Sequence, residues 1–346
     1  MQNDGSLRSR LDRSAGTVNP QDLLTLLGHY NTDPLVEAAL SQYAVRNRPE
    51  VKIDDESADG PVVETQSWVK NSRAGIEFGF DDEAAWVGLD ETEFGKRPMV
   101  LTQIYLYGCH EGVRPYQGLL PFGLQLSDDR ATVREKLDEF ESTRHSYVRD
   151  TWDTPTFRMT VSYANSEHCI EFVVFTLREP PLPPLGYALA PVPSLASIVA
   201  IFGHALDDPA VHQALDPLGL RGQTDEIEDT GEADFRNPYG LSVNFSLSRR
   251  RKKFLLVGVT FFEGREQGAR TWPGDLPYEI RFGDSPETFV QKLGRPPDYR
   301  DDDDFSGHAT WNEPKLTVDV VYSTIENRIL RVSAIARGRA FRIEPE

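Results

Sequence analysis

The stretches "LLGHYNTDPLVEAAL" (residues 26–40) and "IFGHALDDPAVHQAL" (residues 201–215) repeat one pattern within the chain. Each reads Gly-His, three residues, Asp-Pro, one residue, Val, two residues and Ala-Leu, with no gap. Asp33 and Asp208 stand at the position of a helix N-cap, and Pro34 and Pro209 follow at the first helical residue, where a missing amide hydrogen costs nothing. The sequence therefore predicts the same helix twice, 175 positions apart (208 − 33).

The repetition continues in three further pairs of blocks, which keep the same order along the chain. They are "GIEFGF" with "GLSVNF" (75–80 and 240–245), "GLLPFGLQLSDDRATVREKL" with "GDLPYEIRFGDSPETFVQKL" (118–137 and 274–293), and "TWDTPTFRMTVSY" with "TWNEPKLTVDVVY" (151–163 and 310–322). The shift between copies becomes 165, 156 and 159 in turn (240 − 75, 274 − 118, 310 − 151). These changes fall between the matched blocks, where loops are expected, so the pattern predicts a tandem duplication.

Each copy predicts the same succession of elements. A helical pair precedes strands with apolar residues at alternate positions, among them "VLTQIYLYG" (100–108) and "FLLVGVTFF" (254–262). A second helix then presents Val133 and Leu137, or Phe289 and Leu293, as an apolar stripe. Helices packed on one face of an antiparallel sheet define an α+β fold, and the alternating βαβ rhythm of a nucleotide-binding sheet is not present in the sequence.

The predicted domain boundaries follow from the repeat and from proline. Residues 179–193, "EPPLPPLGYALAPVP", contain six prolines and predict an extended, semi-rigid linker. We expect a flexible N-terminal lead at 1–19, a first repeat domain at 20–178 and a second at 194–346. In the second copy, Asp284 and Ser285 precede the later helix, and in the first copy this place is taken by Ser127 and Asp128.

The bulk composition bounds the classes of partner. The 346-residue chain has a net charge of −18 and a pI near 4.9, which argues against nucleic acid, because binding phosphates requires a surplus of cations. Without an 18-residue apolar run or a signal-like start, we expect neither membrane insertion nor secretion, and predict a cytoplasmic protein. Cys109 and Cys169 lack a Cys-x-x-Cys spacing, and we interpret them as incidental thiols.

Motifs for catalysis or for metal binding are weak. The sequence contains neither a Gly-x-Ser-x-Gly elbow nor a phosphate-binding glycine loop ending in Lys-Ser or Lys-Thr. His29 and His204 occupy equivalent helical positions, but neither has a His or Cys four residues away, so a helix-end role is favoured over a metal site. Trp152 and Trp311 are predicted to pack at the start of a strand. We therefore predict no catalytic residue, no metal and no cofactor.

Acidic runs differ between the copies and offer a surface for a basic partner. Such runs are usually solvated and mobile, but flanking aromatic residues make a docking surface for a cationic protein the functional alternative. The candidate partner-binding residues are Tyr299, Asp301, Asp302, Asp303, Asp304 and Phe305, together with Asp225, Glu226, Glu228 and Asp229. The five cations of residues 249–253 predict a hairpin end, acting either as a weak nucleic-acid signal or as an internal counter-charge.

Two resemblances bear on function. Residues 285–322, with a helix, "LGRP", a Trp and a hairpin, resemble the β-lactamase inhibitor protein group and small outer-membrane assembly lipoproteins; the first copy departs from this pattern with "KLDEF". More broadly, the tandem "LLG…DP", "GIEF-F" and "Y-G-LP-GL" blocks look like bacterial immunity proteins of polymorphic or contact-delivered toxin systems. This resemblance implies a rigid protein that occludes the active site or substrate channel of a cognate toxin.

The sequence thus leads to one expectation and two alternatives. We expect a non-enzymatic immunity protein whose partner is a toxin with a basic surface. The first alternative is an inhibitor or scaffold of another enzyme. The second is a hydrolase with a carboxylate site between the two repeats, which would require a concave pocket holding Asp or Glu of shifted pKa.

Overall fold

The first half of the chain forms helices, a seven-stranded sheet and, from its first two strands, a separate two-stranded sheet. The computed structural model describes residues 20–54, 62–140, 142–146, 148–164, 169–303 and 305–337. The helices of this half are α1 (Pro20–Leu24), α2 (Pro34–Gln42), α3 (Glu83–Val87) and α4 (Arg130–Lys136). The strands are β1 (Lys52–Asp54), β2 (Val62–Glu64), β3 (Gln66–Asn71), β4 (Ile76–Asp82), β5 (Met99–Tyr107), β6 (Ser142–His145), β7 (Arg149–Asp153), β8 (Phe157–Tyr163) and β9 (Ile170–Leu177).

The second half has a similar succession, with an additional helical region before its first strand in place of the β1–β2 pair and with its short middle helix one strand earlier. Its helices are α5 (Leu195–Ala200), α6 (Pro209–Leu215), α7 (Thr224–Thr230), α8 (Arg236–Tyr239) and α9 (Pro286–Leu293). Its strands are β10 (Glu232–Phe235), β11 (Leu241–Ser248), β12 (Lys253–Phe262), β13 (Tyr299–Asp302), β14 (Ser306–Asn312), β15 (Leu316–Ser323) and β16 (Arg328–Ala336).

Each half builds its own seven-stranded sheet, and the two sheets have the same strand order. The order of the first is β3-β4-β5-β9-β8-β7-β6 and that of the second is β10-β11-β12-β16-β15-β14-β13, and all pairings described are antiparallel. Register shifts occur after Gly79 and Asn244, which are equivalent positions, and again after Ser162 and Val321. The α+β fold, with helices on antiparallel sheet, is confirmed.

Each sheet buries one face beneath its helices. In the first half, Leu23, Leu40 and Val133 from the helices pack against the inward residues of the strands. In the second half, Ile198, Leu215 and Phe289 occupy the corresponding places. Because side chains alternate across a strand, the other residues of every strand point away from the helices and form an open face on each sheet.

The helix starts agree with their predicted roles, and the two tryptophans lie near the ends of their strands, not at the starts as predicted. The Asp33 carboxylate accepts a hydrogen bond from the Leu35 amide, and Asp208 accepts one from Ala210, so both act as N-caps. Asp129 caps α4, one residue later than expected. Trp152 and Trp311 are 1% and 0% exposed within β7 and β14, which identifies them as core residues and excludes a binding role.

The proline-rich segment 179–193 crosses between the halves without helix or strand. Arg265 of the second half donates to the carbonyl of Pro180 at 2.6 Å, and Arg270 donates to that of Pro183. At its other end, the Ala190 amide donates to the Tyr239 hydroxyl at 3.2 Å. The linker is therefore a strap held against the second half.

The interpretation of the cysteines as incidental thiols was wrong. Cys109 and Cys169 form a disulfide between the end of β5 and the start of β9, 60 positions apart in sequence. These strands are neighbours in the sheet, which brings together two residues that sequence spacing keeps apart. A single disulfide can form wherever neighbouring strands bring two cysteines together, without the several cysteines of a disulfide-rich protein.

Candidate functional site

The open faces of the two sheets both line cavities. The cavity on the first sheet has a volume of about 750 Å³ and that on the second about 450 Å³. All seven strands of the second sheet contribute a lining residue to its cavity, including the edge strands β10 and β13. A flat sheet would hold its edges roughly 29 Å apart at about 4.8 Å per strand spacing, so this face must be concave.

The open face of the first sheet is rich in aromatic residues, and we call Trp68, Tyr105, Tyr107 and Phe172 the aromatic face. The ring centroids of Trp68 and Tyr105 are 5.8 Å apart, and those of Tyr105 and Phe172 are 5.5 Å apart. Burial raises the pKa of Tyr105 to about 12, so its hydroxyl stays protonated at neutral pH. Trp68 remains 42% exposed, which leaves a large indole surface for a partner.

A turn from the second half covers part of the aromatic face. Ile325, between β15 and β16, packs against Tyr105 and Phe172. Its carbonyl accepts a hydrogen bond from the Thr160 hydroxyl at 2.9 Å. The buried Asn327 side chain donates to the Arg149 carbonyl at 3.2 Å. The contact fixes the two halves against each other.

An ion-pair cluster surrounds the same turn. The Arg144 guanidinium donates to the Glu326 carbonyl at 2.7 Å, and the Glu326 carboxylate forms ion pairs with Arg158 and Arg328. Burial acts to raise the pKa of Glu326, but the neighbouring guanidinium groups outweigh it and hold that pKa below its usual value. The turn therefore carries a negative charge into a cationic part of the first sheet.

Phe305 lies at the rim of the cavity over the aromatic face and is 73% exposed. The turn that carries it joins β13 to β14, so the predicted aromatic partner residue projects from the second half toward the first. Tyr299, at the start of β13, is 54% exposed and stacks edge-on with His308 at 5.7 Å instead. Trp68 and Phe305 thus border one open cleft.

The predicted acidic run of β13 is largely used by the fold itself. The Asp302 carboxylate pairs with Arg300 at 2.6 Å and accepts a hydrogen bond from the Tyr322 hydroxyl. Asp303 accepts hydrogen bonds from the amides of Phe305 and Ser306, which lower its pKa and close the turn. Asp301 faces the second cavity, and Asp304 lies outside the described residues.

The second predicted acidic group belongs to α7. Asp225, Glu226, Glu228 and Asp229 are exposed, and Ile227 is the helix's buried residue. This helix packs beside β10, whereas the β13 run lies on the opposite edge of the same sheet. The two groups therefore form two separate acidic surfaces, one at each edge.

A third cavity, of about 430 Å³, lies between the halves and is lined by charged residues. Burial raises the pKa of Asp81, Glu179 and Glu263. Arg265 lies 3.7 Å from Glu179, and Arg328 lies 3.6 Å from Glu263. A concave pocket containing carboxylates of raised pKa is the feature that the hydrolase alternative requires.

The histidines show no metal site in the part of the chain that the structure covers. No group of three or more His, Cys, Asp or Glu side chains there is arranged to hold a metal ion. His29 and His204 each pair through Nδ1 with the N-cap aspartate four residues later, at 2.9 and 3.0 Å. They stabilise the start of the following helix.

The basic run at 249–253 forms the turn between β11 and β12, as its sequence predicts. Lys253 pairs with Asp207 at 2.5 Å, and Arg251 donates to the Gly203 carbonyl at 3.4 Å. The ion pair described for this run is thus with Asp207, beside α6. Among the residues that the structure describes, neither the acidic residues of α7 nor those of β13 act as its counter-charge.

Comparisons with known proteins do not assign the chain to a family. No known family matches the chain, and no curated protein matches it. A solved structure of an extracellular protein containing a SCP domain, from Bacillus anthracis str. Ames, aligns over 97% of this chain and 100% of its own at 10% identity, with a TM-score of 0.25. No helix in the described ranges is long and apolar enough to cross a bilayer.

The sequence analysis singled out Phe305, which lines the cleft, but not the aromatic face. A signal was present: in "VLTQIYLYG", Tyr105 and Tyr107 alternate with Ile104 and Leu106, so the tyrosines had to share the face opposite to the buried residues. Nothing in the sequence showed that a turn of the other half would lie on that face.

Proposed function

We propose that this protein is an immunity protein, which binds a cognate bacterial toxin and occludes its active site or substrate channel. The observation that carries the proposal is the open cleft bordered by Trp68 and Phe305, in a protein with two halves held rigidly together. Exposed aromatic side chains beside a preformed cavity are the usual anchors of tight protein interfaces. The resemblance of the repeated blocks to immunity proteins supplies the class of partner.

The charge distribution supports a cationic partner. The acidic residues of α7, at the edge of the second sheet opposite β13, would attract a basic toxin over a distance and orient it. The aromatic anchors then supply affinity. A tandem duplication explains why two sheets of equivalent strand order exist.

The disulfide bears on the cellular compartment in which the protein would bind the toxin. Cytosolic thiols are kept reduced, so a Cys109–Cys169 pair favours an oxidising compartment over the cytoplasm that the sequence predicts. Thiol labelling of protein taken directly from cells, with and without prior reduction, distinguishes the two locations.

The test begins with the genes adjacent to this one. Each neighbour is expressed alone and then together with the wild-type chain, Trp68→Ala, Phe305→Ala or Tyr187→Ala; Tyr187 is an aromatic residue of the strap that is 63% exposed. Truncating an interface anchor costs on the order of 2 kcal/mol, or roughly 30-fold in affinity. We expect the first two variants to lose protection and Tyr187→Ala to keep it. If no neighbour is toxic alone, the immunity function is refuted.

The hydrolase alternative is favoured by the cavity between the halves, since Asp81, Glu179 and Glu263 there have raised pKa values. A carboxylic acid of raised pKa is a candidate general acid. A panel of ester, amide and glycoside substrates, tested with wild-type protein and Glu263→Gln, decides this alternative. Turnover that Glu263→Gln abolishes would support it, and the absence of any turnover would remove it.

A further inference from the structure

The open faces of the two sheets can be compared position by position, because their ladders keep the same register. Thr151 faces Thr160 across β7 and β8, and Thr310 faces Asp319 across β14 and β15. Thr160 of the first face therefore corresponds to Asp319 of the second. By the same reasoning, Trp68 of β3 corresponds to Glu232 of β10, through their shared partner positions in β4 and β11.

The first face shows what such a face can bind. Its occupant is the turn between β15 and β16, which presents hydrogen-bond acceptors. The Thr160 hydroxyl donates to the Ile325 carbonyl, and Arg144 and Arg158 contact the carbonyl and the carboxylate of Glu326. At Thr160, Arg144 and Arg158 the first face thus offers donors to acceptors and a negative charge on the turn, while Asn327 of the same turn donates to the Arg149 carbonyl.

The second face has the opposite chemistry. Its cavity contains the carboxylates of Glu232, Asp301, Asp303 and Asp319, against the two cationic side chains His308 and Arg331. Asp319 stands where the first face has the Thr160 donor, and Asp319 also accepts hydrogen bonds from His308 and Thr310. Acceptors therefore replace donors, and we define this surface as the acidic groove. A turn that fits it must carry donors and positive charge.

The chain contains such a turn. Arg249, Arg250, Arg251, Lys252 and Lys253 connect β11 to β12 and are exposed. In its own molecule the turn contacts the loop before α6: Arg251 contacts Gly203, and Lys253 contacts Asp207. This loop pairs with β12, where Ala205 is bridged to Leu255. The groove residues of the same hairpin, Ser242 and Thr260, lie at its other end, roughly 20 Å along the strands from the turn. The turn therefore cannot fill the groove of the molecule that carries it.

We propose that the cationic turn of one molecule docks in the acidic groove of a second copy. The contact joins two different surfaces, so it is a head-to-tail interface, which extends into chains or closes into rings. It reproduces between molecules what the turn at Ile325 does within one molecule. The proposal does not depend on the toxin, because it uses a surface other than the cleft at Trp68.

The experiment uses two full-length variants and their mixture. The turn variant carries Arg249→Glu and Arg250→Glu, and the groove variant carries Glu232→Lys and Asp301→Lys. Sedimentation velocity of the wild type, over a wide concentration range, should show self-association that weakens as salt is raised, since the Debye length is about 10 Å at 0.1 M and shorter above it. Each variant alone should associate at least about tenfold more weakly.

Mixing supplies the decisive result. The turn variant keeps an intact groove and the groove variant keeps an intact turn, so the mixture should form dimers that neither variant forms alone. Circular dichroism of each variant checks that it is folded. A wild type that stays monomeric at every concentration and at low salt overturns the proposal. A mixture no more associated than its components also overturns it, because then the two surfaces are not partners.

Discussion

Removing the carboxylate of Asp150 should destabilise the first half strongly. Asp150 is 0% exposed in β7, and its oxygens accept hydrogen bonds from Arg130 and Arg134 of α4 at 2.6 to 3.1 Å and from His145 at 2.7 Å. Asp150→Asn leaves two guanidinium groups without their shared counter-charge. Breaking a buried ion pair from one side costs roughly 3–5 kcal/mol, and we expect a loss of free energy of unfolding of that size.

The pH dependence of this loss is fixed by the direction of the pKa shift. Burial alone would raise the pKa of Asp150, but the hydrogen bonds from His145, Arg134 and Arg130 outweigh it and hold the pKa well below its usual value. Its contribution is therefore complete above the unfolded-state pKa of about 3.9 and declines as pH falls toward the folded-state value. The difference between wild type and Asp150→Asn should narrow below pH 4.

Urea unfolding, followed by far-UV circular dichroism, measures both effects. Glu37→Gln is the matched control, because Arg48 binds the Glu37 carboxylate through two nitrogens at 2.6 Å on an exposed helix; we expect no measurable change there. The second half places Ala309 and Val290 where Asp150 and Arg134 stand, so adding Arg134→Val to Asp150→Ala should recover part of the stability. An Asp150→Asn protein as stable as wild type at pH 7 refutes the reasoning.

Three further predictions concern other parts of the molecule. Reducing the Cys109–Cys169 disulfide, or replacing both residues by Ser, should lower the free energy of unfolding by up to about 4 kcal/mol for a closed loop of this length. Dithiothreitol should therefore lower the Tm of the wild type. It should leave the Tm of the double Ser variant unchanged. Gly240→Ala should cost at least about 3 kcal/mol, because φ is +68° and a Cβ would overlap the backbone of Arg270 and Trp272; Gly222→Ala, with open space around it, is the control in the same denaturation assay. Hydrogen bonding to Asp319 raises the pKa of His308, so His308 stabilises the fold fully below about pH 6.5 and loses this effect as pH rises through the folded-state pKa. An NMR titration that puts the His308 pKa at or below 6.5 would contradict this last prediction.

The architecture was predictable because its signals are local. The Asp-Pro pairs at 33–34 and 208–209 specify two helix starts, and alternating apolar residues specify which face of each strand is buried. Such features depend on a few neighbouring residues, and two copies of each made them easier to recognise.

The site was less predictable because it depends on contacts between distant segments. Phe305 borders the cleft only because the second half places its β13–β14 turn over the first sheet. The pairing of Cys109 with Cys169 requires β5 and β9 to be neighbours, which spacing does not reveal. The acidic run at 301–303 has the composition of a docking surface, yet Asp302 and Asp303 are occupied by Arg300, Tyr322 and local amides.

Ile325 and Asn327 pack on the open face of the first sheet, so the halves do not depend on the linker alone to stay together. These residues hold the halves together through a buried amide and apolar contacts that do not involve residues 179–193. A protease that severed this segment would yield two polypeptides that stay assembled and migrate as one particle under native conditions. The same gene could be divided at this point, and its two products would be expected to find each other.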